Sequence, residues 1–186
     1  MKPKVSENEQ YLSQSNRITG VVVMVIGLAG LLDIVLEWRT TGGLLVAALI
    51  GLLMLVAYVG LVRPSVTLRP DGLLIRNHIR DHHVPWHRIE DADVTDILRV
   101  HTSAGRIRCP GVQLVMKDLR KSRVGSRKLG AENSISRAEF VVDRIDNHRE
   151  RHAATAEGEV VTTWAVPELA IAGVLVVVAV IAQILR

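Results

Sequence analysis

Aromatic residues are scarce in this chain: three Trp, two Tyr and one Phe make up 3% of its 186 residues. Val, Leu, Ile and Ala carry most of its apolar character. No aromatic interleaves its clustered cations, so bases would find no stacking platform and no nucleic-acid partner is expected. Cysteine is nearly absent as well. Cys109 stands alone, which rules out an internal disulfide framework and a thiolate pair for a metal, and fits a reducing compartment. Catalytic signatures are also missing. Ser, His and Asp occur without a nucleophile elbow, no glycine run cradles phosphate after a strand, and no paired metal ligands recur. No enzyme activity, catalytic residue or cofactor is expected.

Apolar runs are plentiful. Residues 18–36 are apolar apart from Thr19 and Asp33, residues 44–62 form a second such run, and residues 166–185 a third. Nineteen residues suffice to cross a hydrocarbon core as a helix. A signal peptide competes for the first run. Against it, the run is long, no small-x-small cleavage site follows, and Glu37-Trp38-Arg39 reads as an interfacial anchor. The first two runs predict a transmembrane hairpin over 18–62 turning at 40–43, with Tyr58 and a snorkelling Arg63 near its second exit. Trp164 and Pro167 mark the entry to the third span, within 164–186. Asp33 pairs with Glu37 at i,i+4 and lies within a turn of the interface, where hydration is cheap; it reads as an interfacial carboxylate rather than a functional one. Ala47 and Gly51 would permit close helix contact.

The rest is polar. Residues 1–17 read as a disordered or loosely helical tail, 64–152 as a soluble domain, and 153–163 as a small-residue, acidic linker. Two spans return the chain to its starting side. Lys2, Lys4, Arg17 and Arg63 then share a side with the domain, which has 18 Lys/Arg against 14 Asp/Glu between residues 63 and 163; Arg39 and Arg186 lie opposite. The positive-inside rule puts the N-terminus and the domain in the cytoplasm and the C-terminus outside, in a multi-pass protein of the inner (plasma) membrane.

Residues 66–94 organise the soluble part. Val66 and Leu68 alternate with Thr67 and Arg69, Pro70-Asp71-Gly72 turns the chain with Gly72 available for positive φ, and Leu73, Ile75 and Ile79 face opposite to Arg76, His78 and Arg80. A second reversal near residues 80–81 leads to 82–84, which Pro85-Trp86 ends. Asp71, Gly72, Leu73, Ile75, Arg76, Asn77, Arg80, Val84, Pro85, Trp86 and Ile89 form a pattern that resembles the bacterial PH-like domain of small actinobacterial membrane proteins. A weaker likeness continues to Pro110-Gly111. The resemblance implies a PH-like barrel beside transmembrane helices, with no catalytic residues.

Pattern and resemblance agree on architecture. Strands are expected at 65–69, 73–78, 80–84, 89–94, 97–102, 105–109 and 112–116, with a turn at Ser103-Ala104-Gly105. Ser136 and Glu139 fit a capping box, and Ala138, Val141, Val142 and Ile145 form one helical stripe. The expected fold is an α+β membrane protein: a seven-stranded antiparallel barrel or sandwich capped by a C-terminal helix, plus three transmembrane helices. Trp86 is expected in its core.

Two clusters invite a functional reading. Residues 117–128 hold Lys117, Arg120, Lys121, Arg123, Arg127 and Lys128 against Asp118 alone. Each cation near an anionic bilayer can contribute about 1 kcal/mol. These six are candidates for lipid or partner contact; a solvated loop is the alternative. Phosphoinositide binding does not carry over, because the first hairpin loop, Arg69 to Gly72, is short and singly basic. His78, His82, His83, His87 and His101 form the other cluster. Such a tract can bind zinc or sense pH, but His82 and His83 alternate faces and no ligand spacing recurs, so exposed strand histidines are expected.

The expected function is a membrane-anchored, non-catalytic interaction module that engages a protein partner, anionic lipid headgroups, or both. The alternative is an accessory subunit recognised through its helices.

Overall fold

The computed structural model describes residues 8–95, 97–103, 105–113, 137–154 and 156–186. It divides into two compact units. One gathers the N-terminal residues up to Ser13 with Pro64–Asn77 and Asp81–Thr163; the other gathers Gln14–Arg63, His78–Arg80 and Trp164–Arg186.

The first unit is built on two sheets. The strands are β1 (Glu9–Tyr11), β2 (Ser65–Arg69), β3 (Gly72–Arg76), β4 (Arg80–Pro85), β5 (Ile89–Val94), β6 (Ile97–Thr102), β7 (Gly105–Gln113) and β8 (Val161–Trp164). One sheet has the order β1-β2-β3-β4-β8 and the other β5-β6-β7. The pairings β1–β2, β2–β3, β3–β4, β5–β6 and β6–β7 are antiparallel. Alternation fixes the register: Leu68 faces Leu73 and Val66 faces Ile75, all four fully buried. In the second sheet Leu98 and Val100 of β6 and Cys109 of β7 complete the core.

Several expectations are corrected here. The described strands do not close into a barrel; five strands and three strands face one core. Residues 105–109 and the start of 112–116 are one bent strand. Leu98 pairs with Cys109 but Ile97 with Gln113, so Pro110, Gly111 and Val112 bulge out of the ladder. A side chain at Gly111 would lie 2.8 Å from Ser65, so this bend brings β7 against β2. Gly72 is needed for a different reason than a left-handed turn. Its Cβ would meet the Val84 carbonyl oxygen at 2.5 Å, so glycine lets β3 and β4 approach. Strand β3 ends at Arg76, which takes Ile79 off the core face; its side chain is 46% exposed.

Pieces of the expected tail and linker form strands too. β1 pairs with the outer edge of β2, and β8 lies beside β4. A helix, α3 (Arg137–His152), covers the core with Val141 and Ile145. Trp86, in a 3₁₀ turn at Trp86–Arg88, is fully buried, donates its Nε1–H to the Arg69 carbonyl at 2.9 Å and stacks on His148 of α3. The bulge in β5 between Ile89 and Asp91 frees the Glu90 carbonyl, which accepts from an Arg149 guanidinium N–H at 2.6 Å.

The second unit consists of α1 (Gln14–Glu37), α2 (Thr41–Ala57), a π-helical turn continuing α2 (Tyr58–Val62), and α4 (Val166–Ile184). All three helices are long and apolar enough to cross a membrane. The first turn is tighter than expected: Thr40 caps α2, its hydroxyl accepting from the Gly43 amide at 3.1 Å. Small residues set the packing. A Cβ at Gly27 would lie 2.5 Å from Met54, and one at Gly51 would lie 3.2 Å from Leu175 of α4. Gly51 is thus the contact residue that the Ala47/Gly51 spacing predicts, whereas Gly27 has no counterpart in that reading. Arg63 does not snorkel. Its side chain is 7% exposed, and its Nε–H donates to Glu168 of α4 at 2.7 Å.

Candidate interaction surface

The six cations Lys117, Arg120, Lys121, Arg123, Arg127 and Lys128 lie outside the described residues, as does Ser136 of the expected capping box. The histidines do not converge. His82 bonds Thr162 at 2.9 Å, His83 meets Asp71 at 3.2 Å, and His101 meets Asp93 at 2.7 Å. Among the described residues no three His, Cys, Asp or Glu side chains come together as metal ligands. Cys109 is buried, and desolvation pushes its thiol well above the ordinary range, so thiolate chemistry is suppressed.

The five-stranded sheet of the first unit ends in two edge strands, β1 and β8, and they differ. At β1 the Glu9 carboxylate receives the Arg144 guanidinium, with the Nε contact at 3.0 Å, and the Tyr11 hydroxyl at 2.8 Å. The Arg144 hydrogen bond holds the Glu9 carboxyl below its usual range. Tyr11 also meets the Phe140 ring edge-on. This edge is tied to α3. At β8 all four residues are exposed, and the strand carries no charge and no proline. Such an edge can accept another strand.

The second unit offers a groove and a tip. The groove, about 460 Å³, runs between the three helices and is lined by Met24, Leu31, Gly51, Met54, Tyr58 and Ile171, with Pro167 and Glu168 at the α4 end. The tip is the turn between β3 and β4. The Ile79 carbonyl accepts from the Ala165 amide at 3.0 Å, and the Arg80 guanidinium lies 4.2 Å over the Trp164 ring. Ala165 is the N-cap residue of α4. These contacts escape a sequence reading because they join residues more than eighty positions apart. Trp164 and the alternation break at Asn77 were the available signals.

No curated protein and no solved structure matches the chain. A family described as "Bacterial PH domain" matches residues 63–180, which is 118 of 186 positions. The match runs well beyond the segment that carried the resemblance: it takes in both sheets from β2 onward, α3, β8 and most of α4. The chain belongs to the bacterial PH domain family.

Proposed function

We propose that this protein is a membrane-anchored, non-catalytic PH-like interaction module. Its domain and N-terminus would lie on the cytoplasmic side of the inner (plasma) membrane and its C-terminus outside, with a protein partner, anionic lipid headgroups, or both as ligands. One observation carries the reading: the family match runs through the PH-like domain and on into the third apolar helix. PH domains generally serve as interaction modules, and here the module is continuous with a helix that lipid can hold. The sidedness rests on the cation distribution, with Lys2, Lys4, Arg17 and Arg63 opposite Arg39 and Arg186. The segment with Lys117, Arg120, Lys121, Arg123, Arg127 and Lys128 remains a proposed lipid or partner contact through its net +5 charge.

The groove between α1, α2 and α4 favours a second reading, an accessory subunit recognised through its helices. Replacing the three helices with unrelated spans, while keeping β1 and β8, separates the two. Photo-crosslinking in the native membrane should give the same partner set for the swapped chain if the domain recognises it; loss of that set would select the subunit reading. In intact cells an impermeant thiol reagent should label Gly42→Cys and spare Ser122→Cys. The opposite pattern would overturn the sidedness.

A further inference from the structure

We propose that the β3–β4 tip, His78-Ile79-Arg80, together with Trp164, is a headgroup site for an anionic phospholipid: Ile79 enters the bilayer surface and Arg80 binds the lipid phosphate. The inference rests on reading the three helices as spans and goes beyond that reading by naming the residues that meet the lipid.

Four observations within the second unit carry it. The backbone hydrogen bond from Ala165 to Ile79 fixes the tip to the residue that opens α4, so the tip lies at the mouth of that helix. Ile79 is 46% exposed although its carbonyl is held by Ala165, and Trp164, the neighbour of Ala165, is 53% exposed. A single exposed apolar side chain is ordinary on a soluble protein. An isoleucine and a tryptophan beside a cation at one end of a membrane-length helix instead match the chemistry of the bilayer interface.

The third observation is Arg80 itself. Its guanidinium carbon lies over the Trp164 ring, 4.2 Å from the ring centre. A contact with the π face of a ring supplies the guanidinium with none of its hydrogen-bond acceptor partners, so its N–H fork is still available to a phosphate. The fourth is what does not compete. Glu168, the carboxylate in the first turn of α4, is taken by Arg63 at 2.7 Å. Among the described residues no carboxylate pairs with Arg80. His78, exposed beside it, adds a second donor.

The test uses the full chain in lipid nanodiscs with Trp38→Phe, so that emission comes from Trp164 and from Trp86, which is buried and out of reach of quenchers. Quenching by brominated phosphatidylglycerol is compared with quenching by brominated phosphatidylcholine at equal mole fraction. We expect the anionic lipid to be favoured about fivefold near Trp164, the order expected of one cation at a charged surface. Arg80→Gln should bring the ratio to one, and Arg80→Lys should keep most of it. Ile79→Cys, carrying an environment-sensitive fluorophore, should emit as in an apolar medium, whereas Asp71→Cys should emit as in water; buried Cys109 does not compete for label. Equal quenching by both lipids, an unchanged ratio in Arg80→Gln, or a water-like signal at position 79 would each overturn the proposal. No quenching by either lipid would instead remove the span reading beneath it.

Discussion

The two units handle apolar side chains in opposite ways. In the sheet unit, Val66, Leu68, Leu73, Ile75, Leu98 and Val100 are fully buried. In the helical unit only 11%, 11% and 6% of the apolar windows of the three helices are buried, and residues such as Ile26, Leu53 and Ile184 are 63–77% exposed. One unit carries its own apolar interior. The other turns its apolar surface outward, which is favourable only if the surroundings are not water. Polar contacts follow the same division. The sheet unit spreads them over strand ends, a bulge and α3, whereas the helical unit keeps them at helix ends: Arg63–Glu168, Arg80–Trp164 and Ile79–Ala165 at one, the Thr40 cap at the other.

The largest expected effect falls on the sheet unit. Trp86 joins β2, the 3₁₀ turn and α3 through one hydrogen bond and one stacked ring. Trp86→Ala should destabilise that unit by about 3–5 kcal/mol. In hydrogen exchange of the full chain, amides of β2 to β7 and α3 should lose protection while α1, α2 and α4 keep theirs. Equal loss in the helices would break the comparison. The reciprocal change is smaller. Gly27→Leu drives a side chain into Met54 of α2 and should cost about 1–3 kcal/mol by overpacking. Lost protection should then be confined to α1 and α2. If β2–β4 lost protection equally, the two units would not be energetically separate.

How much of this was legible follows from how local each signal is. The β2–β3–β4 meander could be read because alternating Val66/Leu68 and Leu73/Ile75 bound a turn within a few residues. Trp86 could be placed in the core for a similar reason: it ends a strand beside Pro85. The three long apolar helices were legible as well, since length and hydropathy need no partner. β1 was not. Its three residues, Glu-Gln-Tyr, have no apolar period, and their partners Val66 to Leu68 lie more than fifty positions away across two helices. The same applies to β8. A fragment of residues 64–152 would therefore lack both edge strands of the larger sheet. Ile79 was misplaced because alternation was carried past Asn77, whose side-chain amide donates to the Arg108 carbonyl at 3.0 Å and helps fix the end of β3. That bond joins two sheets, and no local pattern announces it. The basic segment was the easiest charge feature to read and lies outside the described residues, whereas the hairpin tip needed three-dimensional contacts to be seen.

The smallest expected effect is a slope with pH, and it also belongs to the sheet unit alone. His148 is 4% exposed, lies against Trp86 at 5.6 Å between ring centres, and has no hydrogen-bond partner on either ring nitrogen among the described residues. Burial is the main reason its pKa falls below the ordinary 6.5; His152, Arg144 and Arg151 add to the fall, and Glu9 from β1 opposes it. The folded state therefore favours the neutral ring. Because the unfolded chain binds that proton more readily, stability is fully present above about pH 6.5 and is lost as pH falls through the lower, folded value. Glu9, held below 4.5 by Arg144, keeps its contribution until more acidic pH. Asp146, raised from 3.8 mainly by burial, works in the opposite sense at low pH. Between pH 7.5 and 5.5 the melting temperature of the sheet unit, followed by near-UV circular dichroism of the full chain, should thus fall because of His148. His148→Phe preserves an aromatic face for Trp86 and removes the titration, so its melting temperature should change less over the same interval. An equal fall in that variant would show that the acid sensitivity arises elsewhere, and that the buried ring serves α3 only as packing.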